Sequence, residues 1–199
     1  MATYPIRTRR WTRKEYDRLI DLGILHEDEP VELVGGQMIV AEPKSSPHET
    51  ALGLTADALR RAFGAGWVVR EQGPIALDDE SEPEPDVMVV PGQIRDYRDA
   101  HPERAALLVE VALSSLAFDR RHKGSLYARA GVADYWIVNL VDRVVEVRRR
   151  PAADPTADFG AAYQDIELAR PGATLAPLAR PETRVAVDDL LPWLRVATP

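Results

Sequence analysis

Ala105-Ala106-Leu107-Leu108-Val109-Glu110-Val111-Ala112-Leu113 is the most apolar run of the chain, and a single carboxylate interrupts it. A run of this length and composition reads as a strand buried on both faces. A carboxylate inside it is costly unless it is protonated, hydrogen-bonded, paired with a cation or bound to metal. Glu110 therefore needs a partner, and an arginine ion pair is the structural alternative to a functional role. Upstream, Glu84-Pro85-Asp86-Val87-Met88-Val89-Val90 puts Asp86 at the mouth of a second apolar strand. An aspartate after proline reads either as a turn residue or as a second acid of a site. Downstream, Ser114-Ser115 leads into a helix expected from about Phe118 to Ala130, closed by Gly131. Asp119, Lys123, Leu126, Tyr127 and Ala130 share one stripe at helical spacing. Asp119 and Lys123 then read as an ordinary i,i+4 ion pair, or as groups delivered to the end of the Glu110 strand. The loop is short, so the start of the helix lies near that strand end. Two acids and a lysine converging on a sheet are a donor set for metal-assisted hydrolysis.

The rest of the chain frames this run. Thr12-Arg13-Lys14-Glu15 is a capping box opening a helix through Leu22, closed by Gly23. Val31 to Val34, Gly35-Gly36 and Gln37 to Val40 form a hairpin with a tight glycine turn. Glu32 alternates with apolar neighbours and reads as solvent-facing or as a site residue. Ser46-Pro47-His48-Glu49 is a second capping box, opening a helix to about Phe63 whose one face carries His48, Leu52, Thr55, Leu59 and Phe63. His48 is a structural residue of that face or a functional one. Strands are expected around Trp67 to Glu71, Pro74 to Leu77, Asp86 to Val90, Asp134 to Leu140 and Arg143 to Arg149. Pro151 to Gly160 reads as a loop, and short strands and a Leu190 to Leu194 segment follow.

Composition narrows the function classes. At 199 residues and 45% hydrophobic content the chain supports one domain, residues 1–199, with residues 1–9 as a flexible N-terminus. No apolar stretch approaches the roughly 18 residues of a membrane helix, and Met1 to Arg7 lacks a signal-peptide core. Cytoplasmic location is the default. Absence of cysteine excludes disulfides and thiolate metal sites. A net charge of −7 disfavours a nucleic-acid partner unless charge is segregated. Basic residues cluster at Arg7 to Lys14, Arg120 to Lys123 and Arg148 to Arg150, and solvated surface explains each cluster most simply. Of the 25 cationic residues only Lys14, Lys44 and Lys123 are lysines, so a lysine on a buried face suggests work that arginine cannot do. The chain has no Walker loop, GxGxxG, GxSxG elbow or HxxxH spacing.

Taken in order, Val-Glu-Leu-Val-Gly-Gly, Pro-His at a helix start, Glu-Pro-Asp-Val-Met-Val-Val, Leu-Leu-Val-Glu-Val-Ala-Leu-Ser, Asp-Arg-Arg-His-Lys and Leu-Tyr-Ala-Arg-Ala-Gly-Val-Ala-Asp-Tyr-Trp-Ile-Val-Asn resemble the Uma2 family of restriction-endonuclease-like proteins, within the PD-(D/E)XK nuclease superfamily. The resemblance covers roughly residues 10 to 190. It implies an α/β (α+β) fold with a restriction-endonuclease-like core, a central mixed sheet flanked by helices. It further implies a Mg²⁺-dependent endonuclease acting on DNA, with Mn²⁺ as a possible substitute and a possible homodimer. Asp86 matches the aspartate of the PD motif and Glu110 the acid of the (D/E)XK motif, with the Val111 carbonyl as a further metal ligand. Ala112 stands where the motif has lysine, and Lys123 from the following helix takes that role. Glu32 and His48 complete the implied pocket, and Asp119 orients Lys123. The alternative is a catalytically weak or inactive protein of the same fold, acting as a nucleic-acid- or protein-binding module.

Overall fold

The structure is a computed structural model that describes residues 8–26, 29–40 and 44–193. Met1 to Arg7 and Leu194 lie outside the described residues. A six-stranded sheet runs β3 (Trp67–Glu71), β4 (Val87–Pro91), β5 (Leu107–Ala112), β6 (Asp134–Asn139), β7 (Val144–Ala153) and β8 (Ala161–Ala169), in that spatial order. Only β5 and β6 pair in parallel; the other pairs are antiparallel. A parallel pair needs a crossover, and the helical segment between β5 and β6 supplies it. Both faces of the sheet are covered. On one, α2 (Ser46–Phe63) packs Ala51, Leu52, Leu59 and Phe63 against Val87, Val89, Val109 and Trp136. On the other, Tyr127 and Ala128 of α4 (Gly124–Arg129) pack against Met88, Leu108, Tyr135 and Ile137. This double coverage is why the Glu110 strand is a continuous apolar run rather than an alternating one.

Local signals worked where they were strong. Thr12 and Glu15 form the reciprocal capping box of α1 (Arg13–Asp21). β1 (Val31–Val34) and β2 (Gln37–Val40) form the hairpin, with Gly35 and Gly36 at φ of 56° and 77°. Those angles are the type I′ requirement. Gly35 has a second reason: a Cβ there would lie 2.3 Å from the Phe159 ring.

Several expectations are corrected. Pro74 to Leu77 is not a strand: the Ile75, Ala76 and Leu77 amides donate to Pro83, Pro102 and Ser81 carbonyls, so these bonds go to loop segments rather than to a neighbouring ladder. Pro151 lies inside β7, not in a loop, because pairing with β6 ends at Arg149 and only the β8 side remains, with Pro151 opposite Tyr163. β8 is a nine-residue strand rather than a short one. The second capping box does not form. Ser45 is the N-cap, without a side-chain hydrogen bond, and Ser46 is the first helical residue. The helix after β5 is broken into α3 (Leu116–Phe118), a π-helical turn at Asp119–Lys123, and α4. Single π-turns inside α-helices concentrate at functional sites.

Candidate active site

Pairing of β4 with β5 stops at Val87 opposite Val109, and the same register carried one residue on sets Asp86 opposite Glu110. Period 2 places Glu110 on the face of Leu108 and Ala112, toward α4. Past the end of the ladder the Val111 amide has no β4 partner and donates instead to Asp86 Oδ2 at 2.8 Å. The Asp86 amide points back to Glu110 Oε2 at 3.4 Å. The two acids thus replace a ladder rung at the frayed end of an antiparallel pair.

The crossover brings the lysine. Lys123, in the π-turn, sits with Nζ 3.1 Å from Glu110 Oε1 and 3.2 Å from Glu32 Oε1. Asp119 does not form the i,i+4 pair that the spacing predicts. It accepts from Ser115 Oγ at 2.6 Å, because the ammonium is claimed by acids on β5 and β1. Glu32 does not face solvent. All of β1 is buried, and Glu32 Oε2 accepts from the Glu84 amide at 2.9 Å. His48, in the first turn of α2, places Nε2 3.2 Å from Asp86 Oδ2. A nitrogen facing a carboxylate carries the proton. Asp86, Glu110, Lys123, Glu32 and His48 therefore share one site, and Val111 borders it.

Sequence reasoning missed three neighbours. Tyr127 donates to Glu110 Oε1 at 2.6 Å. Its place one helical turn beyond Lys123 on the same stripe was the available signal. Lys44 and Gln72 line the same cavity, and nothing in the local sequence marks either. The cavity holds about 690 Å³ and is walled by Val31, Ile39 and Val40 of the hairpin, by Leu113 and Phe118 opposite, and by the acids and Lys123 at its floor. Lys44 and Lys123 are two of the chain's three lysines.

The electrostatics are lopsided. Burial pulls the Lys123 ammonium down, but Glu110, Glu32, Asp119 and Asp86 more than offset it and hold it charged. Burial pushes Glu110 well up; Lys123 opposes, and Asp119, Asp86 and Glu32 push it up again. Burial likewise raises Asp119 to about 6, against the pull of Lys123. Burial also lowers His48, yet the hydrogen bond and charge of Asp86 leave it raised. Too many acids surround one buried lysine for all to ionise freely.

A divalent cation fits this donor set. Among the described residues no three His, Asp or Glu side chains form a ready metal cage. Yet Asp86 Oδ1 takes no hydrogen bond among the described residues, and Glu110 Oε2 takes only the long one from Asp86. Both carboxylates therefore keep oxygen lone pairs free for a cation among the described residues. A strand residue's N–H and C=O project to the same edge, so the Val111 carbonyl faces the Asp86 side, as its amide does. Two carboxylates, a carbonyl and water are a hard-oxygen set of the kind Mg²⁺ accepts.

Among the described residues no helix is long and apolar enough to cross a membrane. Comparison with curated proteins returns no match. A solved structure from Anabaena variabilis ATCC 29413, titled a putative nuclease belonging to DUF820, aligns with a TM-score of 0.65 and 17% identity over 86% of this chain and 96% of that one. At that identity the likeness bears on fold alone. The family model Uma2, described as "Putative restriction endonuclease", matches residues 13–188. With nearly the whole length matched, the chain belongs to the Uma2 family.

Proposed function

We propose that this protein is a metal-dependent endonuclease hydrolysing DNA phosphodiester bonds. The observation that carries the reading is the convergence of Asp86, Glu110 and Lys123 on the floor of one cavity, with acids in excess of cations. Asp86, Glu110 and the Val111 carbonyl would hold Mg²⁺ or Mn²⁺, which supplies a polarised phosphodiester and an acidified water. The chain's own groups do the rest. Lys123 stabilises charge developing on the phosphate oxygens, as a preformed and largely buried cation. Glu32 holds that ammonium against the floor, Tyr127 fixes Glu110, and His48 fixes Asp86 and offers a proton-transfer group. Asp119 orients the π-turn that carries Lys123.

A plasmid-nicking assay with Mg²⁺ tests this. Asp86→Ala and Glu110→Ala each lose about 10²-fold or more of the rate. Equal residual activity in wild type and both variants would mean a contaminant or a different site. The binding-module reading is favoured by one observation, Ala112 where a strand lysine is expected. A thermal shift at millimolar Mg²⁺ that vanishes in Glu110→Ala supports the enzyme; no shift supports the module.

A further inference from the structure

Resting on the hydrolase reading above, we infer that the substrate enters as an unpaired strand, a single-stranded segment or a frayed or overhanging end, and not as the interior of a duplex. The acids and the lysine are recessed: Asp86, Glu110 and Lys123 are 8%, 3% and 6% exposed. They lie beneath a cavity of about 690 Å³, a size in the roughly 300–1,000 Å³ range of pockets that enclose one small molecule. That is room for a nucleotide, not for a double helix. A duplex carries its phosphates on a broad ridge, whereas the acids and the lysine here lie buried beneath the surface.

The walls match an unstacked nucleotide. Val40 is 70% exposed and Leu113 40%, and both line the cavity together with Phe118. Apolar and aromatic walls bind bases by stacking, which is open to a base only when it is out of the duplex. Ser45 Oγ and Gln72 Nε2 also belong to residues lining the cavity, and neither has a hydrogen-bond partner among the described residues. Gln72 holds a left-handed φ of 49° beside Asp86, with its amide on the Asp86 carbonyl. Strain and unpaired polar atoms gather at ligand sites.

The basic clusters form no unopposed cationic face for a duplex. Duplex affinity comes chiefly from cations that neutralise phosphates. Among the described residues most arginines of the basic clusters are engaged by acids, while Lys14 is exposed and makes no ion pair. Arg9 and Arg10 pair with Glu15 and Glu80, Arg120 and Arg148 with Glu146, Arg121 with Asp158, Arg149 with Asp134 and Arg150 with Asp165. At the cavity itself Lys44 lines the wall, and Lys123 lies at the floor between Glu110 and Glu32.

The test uses the full chain with one labelled oligonucleotide presented three ways: single-stranded, blunt duplex, and duplex with a single-stranded overhang. Binding is read by fluorescence anisotropy without divalent metal, and cleavage with Mg²⁺ or Mn²⁺. The single strand and the overhang bind about tenfold or more tighter than the blunt duplex, and cuts map to the unpaired region. Val40→Asp and Phe118→Ala each weaken single-strand binding severalfold and leave blunt-duplex binding unchanged. Equal or tighter duplex binding, or binding to neither form, overturns the inference. Cleavage of the duplex interior at the single-strand rate overturns it while sparing the hydrolase. Selective single-strand binding without cleavage in any form upholds the inference and sinks the hydrolase.

Discussion

Glu110 of β5 and Glu146 of β7 sit in the same triplet, Val-Glu-Val, in strands of one sheet, and both are buried. Their surroundings differ in kind. Glu146 is saturated by cations and an amide: Arg120 and Asn139 on Oε1 at 2.6 and 3.0 Å, and Arg148 on Oε2 at 2.8 Å. Burial pushes it up, but those partners hold it below the ordinary range. Glu110 shares one lysine with other acids and is pushed up. It also opens onto a cavity, and Glu146 does not line that cavity. A balanced buried charge network is structure. An acid-rich one facing open space is poised for a cation or a substrate.

The widest gap should appear in stability. Glu146→Ala strands the buried Arg148 guanidinium and costs about 3–5 kcal/mol in urea unfolding. Glu110→Gln removes one charge from an over-acidic cluster while Lys123 keeps Glu32. It costs less than about 1 kcal/mol and abolishes hydrolysis. Similar losses from both variants would make Glu110 a structural acid like Glu146.

A smaller effect concerns pH. Burial, with Asp17 and Glu84 nearby, raises Glu82 to about 7 despite Arg13. A raised carboxylate binds its proton more tightly folded than unfolded. Its contribution to stability is therefore present below the unfolded value near 4.5 and lost as pH rises through about 7. Glu82→Gln should gain about 1–3 kcal/mol on wild type at pH 8 relative to pH 5, read from urea midpoints at the two values. A constant difference across pH would show that Glu82 titrates normally.

The smallest effect sharpens the comparison at one atom. Tyr127→Phe removes the hydroxyl on Glu110 Oε1 and costs about 1 kcal/mol. As a positioning residue it should lower the hydrolytic rate at saturating metal, and its pH–rate profile should shift with Glu110. An unchanged rate and profile would confine Tyr127 to packing.

Much of the molecule was legible because the signals were local. The capping box of α1, the Gly-Gly turn, the apolar strands and the family motifs all read within a few residues. The failures were also physical. Pro151 reads as a loop residue because nothing nearby tells that β6 stops pairing at Arg149. Glu32 alternated like a surface residue, but β1 is buried on both sides. Asp119 and Lys123 had ion-pair spacing, but partners on other strands outcompeted it.

By itself, then, the sequence determined the apolar strands, the hairpin and the capping box of α1, and that Glu110 would be buried in need of a partner; the burial of Glu146 in a second Val-Glu-Val triplet was not legible. Only the tertiary structure decided which acid meets arginines and which meets a lysine, a tyrosine and a cavity. The reason lies in distance along the chain. Propensity and burial follow from neighbouring residues, whereas the partner of a buried charge comes from wherever the topology brings a strand end, a hairpin and a π-turn together.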